Sequence, residues 1–363
     1  MPDVIGAHVT PEMRMREELL EYLCEPTEDA RGGPLELHAF VRRDQRVVDG
    51  VLVGSSGWWW IAGGIPRMLP PTEYRNKALE ARYSIELRRL GLARPTSNER
   101  IAPHPKGSRE ALDRYGELRR LRSWGFLSES DAFAHSSGGL WRDTRAKFDE
   151  VLPDSIEGKT CVDLGCGNGR FMAAALERGA ARVIGVDTGW DIEPLMERFA
   201  GDDRVHVVDA RIDRLPVAGA DAVYAIGALG FTAEPRRAFG LAVSACRPGG
   251  LIAIEGRARG TASVEIRDRA LRGLSTRLTR GGQVRFARWM SGRIGPAAIK
   301  DSLEWWSAPF AWTLSPAEVG AWAAEDNCQT LHCEAVEGRM LAVFRREAGS
   351  ILENKPVRAS KAA

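Results

Sequence analysis

The run Asp163-Leu164-Gly165-Cys166-Gly167-Asn168-Gly169-Arg170 sets three glycines at alternate positions between an apolar stretch, TCVDL, and a helix-like stretch, GRFMAAALERGA. Glycine lets a backbone turn sharply and approach a ligand, and the first amides of the following helix can meet an anionic group. A second apolar run, RVIGVD, ends in Asp187, where a carboxylate can take both hydroxyls of a ribose. Loop, helix start and strand-end acid, in that order, are the chemistry of a nucleoside-bearing ligand. The spacing is G-x-G-x-G. A dinucleotide fingerprint needs G-x-G-x-x-G, and Arg170 stands where its last glycine would be.

The elements that must position these residues alternate regularly from Lys159 onward. Strand patterns at TCVDLGC, RVIGVD, VHVVDA, ADAVYAIGAL and GGLIAIE are separated by helix patterns such as DIEPLMERFA and EPRRAFGLAVSAC. Such alternation predicts an α/β fold, a doubly wound parallel sheet with ligands at the carboxyl ends of its strands. QTLHCEAV and GRMLAVFRR, joined at Glu337-Gly338, predict a closing hairpin. Before the alternation lie short strand-like runs within residues 17–70 and a charged helical region over 71–150, broken by the proline-containing ARPTSNERIAPHPKG. The organisation predicted is a small β-rich unit at 1–70, a helical connecting or lid region at 71–150, the α/β domain at 151–350 with an inserted cap over about 257–325, and a disordered tail at 351–363.

Over about residues 155–256 the motifs VDLGCGNGR, GVD, DARIDRLP and CRPGG follow one another at the spacing of the class I S-adenosylmethionine-dependent methyltransferases, and the chain resembles that family. The closing hairpin is similar to the family's reversed last strand, which makes the expected fold Rossmann-like with an antiparallel final strand. The resemblance implies S-adenosylmethionine as cofactor. Asp163, Gly165 and Gly167 would bracket its methionine part, with Asp163 near the ammonium, and Asp187 would hold the ribose. Asp209 and Ala210 would border the adenine, and Ile226 would lie under the sulfonium. Cys166, Asn168 and Thr188 belong to the same implied set. SSGGLWRDTRAKFDEVLP is similar to a lead-in of some members, which would bring Trp141 and Arg142 to the cofactor; packing of Trp141 on the sheet is the alternative.

Methyl transfer is an in-line displacement, so such an enzyme mainly aligns the reactants and keeps water out. A hydroxyl acceptor also wants a base, and His135, Tyr224 and Glu255 are the candidates. The family's histidine or aromatic pair after the fourth strand is replaced here by ALGF. From Arg267 to Lys300 the insertion carries nine Lys/Arg and one acid, Asp268. Such a run is either a solvated face or a lid that selects an acidic substrate. Trp305, Trp306, Phe310 and Trp312 are candidates to line an apolar acceptor pocket, or simply to fill a core.

The segment GSSGWWWIAGGIPRM raises a separate question, since three tryptophans in a row cannot share one face of a strand. With YLCEPTEDARGGPLELHAF before it, the segment is similar in layout to a small zinc-ribbon family that includes a methyltransferase activator subunit. The metal ligands are missing: Cys24 remains, Thr27 replaces a thiolate and GSSG replaces a Cys pair, so a metal-free ribbon held by aromatic packing is expected. The six cysteines form no C-x2-C pair, and CQTLHC reads as a strand with buried thiols rather than a metal site.

A formal net charge of +2 disfavours wholesale attraction to nucleic acid or membrane, and no apolar run suits a membrane span. The N-terminus lacks an apolar signal core and reads as an acidic amphipathic helix after Pro11, pointing to the cytoplasm. The expected protein is a methyltransferase of a small-molecule or glycan acceptor, acidic if the basic insertion selects it, with no membrane and no nucleic-acid partner and with the oligomeric state open. An RNA or protein methyltransferase with a built-in activator-like unit is one rival, disfavoured by AIGALGF where such enzymes carry an N/D-P-P-Y/F tetrapeptide. A cofactor-binding scaffold without catalysis is the other.

Overall fold

The structure, a computed structural model, describes residues 15–27, 32–70, 74, 76–92, 139–188, 192–291, 305, 306, 308 and 310–348. His135 and the 351–363 tail lie outside the described residues. An antiparallel meander comes first: β1 (Glu36–Arg43), β2 (Arg46–Val53), β3 (Trp58–Ala62) and β4 (Ile65–Arg67). Where an amphipathic helix was expected, the described chain has a single 3-10 turn at Glu17–Glu21, with Leu19 buried and Met15 bridged to Val47. Two short helices follow, α1 (Lys77–Arg82), capped by Asn76 accepting from the Leu79 amide, and α2 (Ser84–Arg89).

The α/β part begins with α3 (Gly139–Val151). It continues through β5 (Thr160–Leu164), α4 (Arg170–Glu177), β6 (Arg182–Asp187), α5 (Ile192–Arg198), β7 (Val205–Asp209), β8 (Ala220–Ile226), α6 (Pro235–Ala245) and β9 (Cys246–Arg257). The insertion contributes α7 (Ala262–Ser275) and α8 (Arg280–Ser291), and α9 (Pro316–Glu325) leads into β10 (Cys328–Val336) and β11 (Arg339–Arg346). Ser315 caps α9 by accepting from the Glu318 amide. Glu337 and Gly338 both take positive φ, the two-residue turn that matches strand twist, and close the β10–β11 hairpin.

All these strands form one sheet in the order β1-β2-β3-β4-β7-β6-β5-β8-β9-β11-β10. The β7-β6-β5-β8-β9 centre is parallel and β11 runs antiparallel to β9, which is the Rossmann-like arrangement with a reversed last strand. The N-terminal meander joins through β4, which lies parallel to β7 with Arg67 opposite Asp209; the Met68 amide donates to the Asp209 carbonyl at 2.7 Å. Leu52, Trp59 and Met68 sit in the same buried cluster as Val162, Ile184 and Val208. The break near residue 70 is thus a break in sequence pattern, not in the core.

The tryptophans divide as strand alternation requires. Trp59, 8% exposed, enters the large cluster with Leu19 and Leu52. Trp60, 5% exposed, and Trp58 pack edge to face at 5.3 Å on the other side, with Tyr83 of the α1–α2 pair, Leu87 and Phe40. That second face therefore meets the connecting helices instead of the α/β domain.

A buried carboxylate ties the N-terminal unit together. Glu25, buried next to Cys24, accepts from the Ser55 amide (2.6 Å) and hydroxyl (2.9 Å), from the Ser56 amide (3.0 Å) and from the Ser56 hydroxyl. Gly54 makes room: a Cβ there would stand 2.5 Å from Glu25 Cδ. Burial raises the Glu25 carboxyl, but the hydrogen bonds from Ser56 and Ser55 outweigh it and hold the group below its usual range.

Trp59→Ala and Trp60→Ala should each cost about 3–5 kcal/mol of stability and Trp58→Ala clearly less, because Trp58 is only half-buried; equal losses at all three in thermal melts would contradict this packing. Glu25→Gln should cost about 2–3 kcal/mol by turning two acceptor oxygens into one and facing an amide at donors. Because the folded Glu25 carboxyl lies below its unfolded value, its contribution is present at neutral pH and is lost as pH falls through that lowered value. Wild type should therefore lose stability on acidification more steeply than Glu25→Gln.

Candidate functional site

The parallel strands end on one edge, and there the chain gathers three carboxylates. Asp163 near the end of β5, Asp187 at the end of β6 and Asp209 at the end of β7 occupy neighbouring strands, with Asp187 and Asp209 in register. The glycine loop runs over this edge with Gly165, Gly167 and Gly169 all at positive φ. At Gly165 a side chain would collide with Ala228, so the loop and the β8 exit can approach only because no Cβ is present. Gly169 caps α4 in the left-handed conformation, packed against Leu195 and Phe199. Arg198 on α5 grips the Asn168 carbonyl, and the Asn168 side chain accepts from the Arg170 amide at 3.2 Å.

Asp163 is 1% exposed, and its Oδ2 finds no hydrogen-bond partner among the described residues. Burial, then the neighbouring Asp187 charge, pushes its carboxyl well above the usual range. A buried acid in that state favours a cationic ligand beside it, and an ammonium satisfies both the orphaned oxygen and the charge. Asp187 accepts from the Gly167 amide at 2.7 Å and the Thr188 amide at 2.6 Å. These bonds orient the group at the strand end. The chemistry of these residues fits a ligand with an ammonium and a ribose, as S-adenosylmethionine has.

The other expected site residues fall as follows. Cys166 offers its backbone to the loop while its thiol is buried beside Gly185, where a Cβ would stand 2.9 Å away. Ala210 is buried and donates its amide to the Asp187 carbonyl at 2.9 Å. Ile226 ends β8 at the same edge, nearly buried. Trp141 and Arg142 lie on α3, and their side chains are outside the described residues. Asp209 has a partner that the sequence did not announce: Arg67 of β4, whose Nη1 meets Oδ2 at 2.9 Å.

Among the candidate bases the structure makes one correction. Tyr224 cannot serve, because it is fully enclosed between Phe148 and the sheet and donates its hydroxyl to the Phe171 carbonyl at 3.3 Å. Burial pushes its phenol well above the usual value. Glu255 behaves differently. It lies near the end of β9 beside β8's last residue, 4% exposed, with Oε1 paired to Lys147 of α3 at 3.0 Å. Its Oε2 faces Gly227, 3.9 Å from where a Cβ would stand. Lys147 was missed because its role depends on how α3 crosses the sheet.

The insertion packs against the chain that follows β8 and β9. The Trp312 amide and indole donate to Gly230 and Thr232 carbonyls at 2.8 and 3.1 Å, and Leu314 pairs with Arg257 and Arg259. Of the two alternatives for Trp305 and Trp306, the described residues show the core. Both rings are buried in the insertion's own cluster with Phe231, Leu271 and Phe286, and Arg257 lies over the Trp305 ring at 4.2 Å. No helix among the described residues is long and apolar enough to cross a membrane.

Residues 162–254 match the methyltransferase domain family. Among curated proteins, a tRNA U34 carboxymethyltransferase of Cronobacter sakazakii is 28% identical over 147 residues, 39% of this chain and 44% of that protein. The enzyme of the same name from Serratia proteamaculans is 33% identical over 90 residues, 23% of this chain and 28% of that protein. The chain spans less than half the length of these curated relatives. Among solved structures, a complex of the Haloferax volcanii Trm112 methyltransferase activator with a methyltransferase aligns over 68% of this chain and 100% of that chain, at 14% identity and a TM-score of 0.40.

If the strand-end acids hold the cofactor, Asp187→Ala should weaken S-adenosylhomocysteine binding roughly tenfold to a hundredfold, the loss of a charge-assisted bidentate contact. Asp163 gives a pH signature. Its raised carboxyl must ionise to meet an ammonium, so wild-type affinity should rise with pH above the usual carboxylate range, and Asp163→Asn should flatten that rise. Calorimetry across pH checks both.

Proposed function

We propose that this chain is an S-adenosylmethionine-dependent methyltransferase whose acceptor is RNA. The methyl-transfer half is carried by one observation: a fully buried, raised Asp163 with an orphaned oxygen at the head of the left-handed glycine loop, inside a segment that matches the methyltransferase domain family. Bound S-adenosylmethionine supplies a methyl already activated by its positive sulfur. The chain's own contribution is alignment and exclusion of water. Asp163 takes the ammonium, Asp187 the ribose hydroxyls, and Asp209 with Ala210 borders the adenine. Ile226 and Ala228 keep the reacting edge apolar. Glu255, steadied through Oε1 by Lys147, receives the acceptor's proton at Oε2.

The acceptor reading moves away from a small molecule or glycan, because two of the four aromatics named for such a pocket, Trp305 and Trp306, are buried in a core cluster. Arg269, Arg277, Arg285 and Arg288 are exposed on α7 and α8 or just between them, and Trp289 is 71% exposed beside Arg285 and Arg288. Arginines that neutralise phosphates, with an indole on which a base can stack, favour a nucleic acid. The relatives with tRNA in their names point the same way. The N-terminal meander, added to the sheet beside Asp209, supports the notion of a built-in, metal-free counterpart of an activator subunit.

Incubation with labelled S-adenosylmethionine and either small RNA or a metabolite extract tests this. Label should enter acid-precipitable, ribonuclease-sensitive material. Arg285→Glu with Arg288→Glu should raise the KM for RNA roughly tenfold and flatten its salt dependence while leaving cofactor affinity unchanged. Label confined to acid-soluble products would restore the small-molecule acceptor, and cofactor binding without transfer to either would make the chain a scaffold.

A further inference from the structure

We propose that Arg67, which lies outside the α/β domain in sequence, is a positioning residue for the purine end of the cofactor site and gives the N-terminal unit control over which purine is accepted. The inference rests on the reading of the strand-end carboxylates as a cofactor site.

Arg67 is 8% exposed, a deeply buried guanidinium at the junction of β4 and β7. Its fork spans two carboxylates, Nη1 on Asp209 Oδ2 at 2.9 Å and Nη2 on Glu193 of α5. The Tyr74 ring stacks on it at 5.5 Å from guanidinium carbon to ring centroid. The backbone fixes the geometry, since Arg67 and Asp209 are register partners and the Met68 amide bonds the Asp209 carbonyl. A planar fork held on three sides leaves the Asp209 carboxylate one orientation. A lysine in its place would supply charge but no plane.

The charge balance explains why an arginine is needed. Asp187 and Asp209 end neighbouring strands in register, and Asp163 lies on the next strand. Asp209 is 2% exposed, and the Arg67 guanidinium on its Oδ2 offsets the like charge of the acid beside it. An ionised, fixed carboxylate accepts from an exocyclic amine and repels a carbonyl, so Arg67 sets preference for adenine over hypoxanthine. A site built to bond one polar group rejects the analogue that lacks it far more strongly than a merely snug one.

The experiment is calorimetric titration of the full chain with S-adenosylhomocysteine and with S-inosylhomocysteine, in which hypoxanthine replaces adenine. Wild type should prefer the adenine compound by at least about tenfold. Arg67→Gln should lose most of that preference. Arg67→Lys, which keeps the charge and should keep the fold, should retain a melting temperature near wild type yet have an intermediate preference. Asp209→Asn should erase the preference, and adding Arg67→Gln to it should change nothing further. A preference unchanged in both Arg67 variants would reduce Arg67 to glue between the two parts of the sheet and overturn the inference. So would a wild type that binds both compounds equally. A wild type that binds neither would instead overturn the cofactor reading itself.

Discussion

Everything in this molecule depends on the pairing of β4 with β7. The last strand of a parallel sheet presents a row of unpaired amides and carbonyls, and an open edge invites wrong partners. Here that edge also carries a buried carboxylate, Asp209, and Arg67 meets its Oδ2 at 2.9 Å. A short strand from the N-terminal meander covers the edge and supplies the cation in the same contact. Removing one partner of a buried ion pair leaves an uncompensated charge, so the junction is strongly self-enforcing even though the β4–β7 pairing is only one residue pair long.

From that junction the ligand edge follows. Parallel strands bring their carboxyl ends together, and this sequence ends or nearly ends three of them in aspartate. The protein relieves two of the three charges itself, with backbone amides at Asp187 and a guanidinium at Asp209. The third, Asp163, is left with a raised carboxyl and an oxygen lacking a partner among the described residues. That carboxyl marks where a cationic ligand gains by binding, and it lies at the head of the loop in which Gly165, Gly167 and Gly169 take positive φ.

How much of this the sequence disclosed follows from the range of each interaction. Positive-φ glycines, strand-end acids and the Glu337-Gly338 turn are local requirements and were read correctly as a Rossmann-like fold with a reversed last strand. Tyr224 was misread because β8 is buried on both faces, so its apolar run shows no alternation to reveal which side chains turn inward. Trp305 and Trp306 were open between pocket and core for the same reason: aromatic content marks burial, not what is buried against it. Arg67 with Asp209 and Lys147 with Glu255 are contacts across long stretches of chain, and charge alone names no partner for either.

Glu25 shows how such a long-range arrangement is held from a turn. Its carboxylate gathers amide and hydroxyl donors from the two serines of the GSSG turn. That turn joins β2 to β3 and so fixes the register in which Trp59 faces Leu52 and Trp60 faces Val51. Register along β3 is not free to slip, because a one-residue shift would exchange the large core and the α1–α2 face between indoles of different surroundings. Once β3 is set, the Gly63-Gly64 turn sets β4, and β4 sets Arg67 against Asp209. The carboxylate at Glu25 and the guanidinium at Arg67 are thus two ends of one mechanical path, which carries the order imposed at a hydrogen-bonded turn to the edge where the ligand is held.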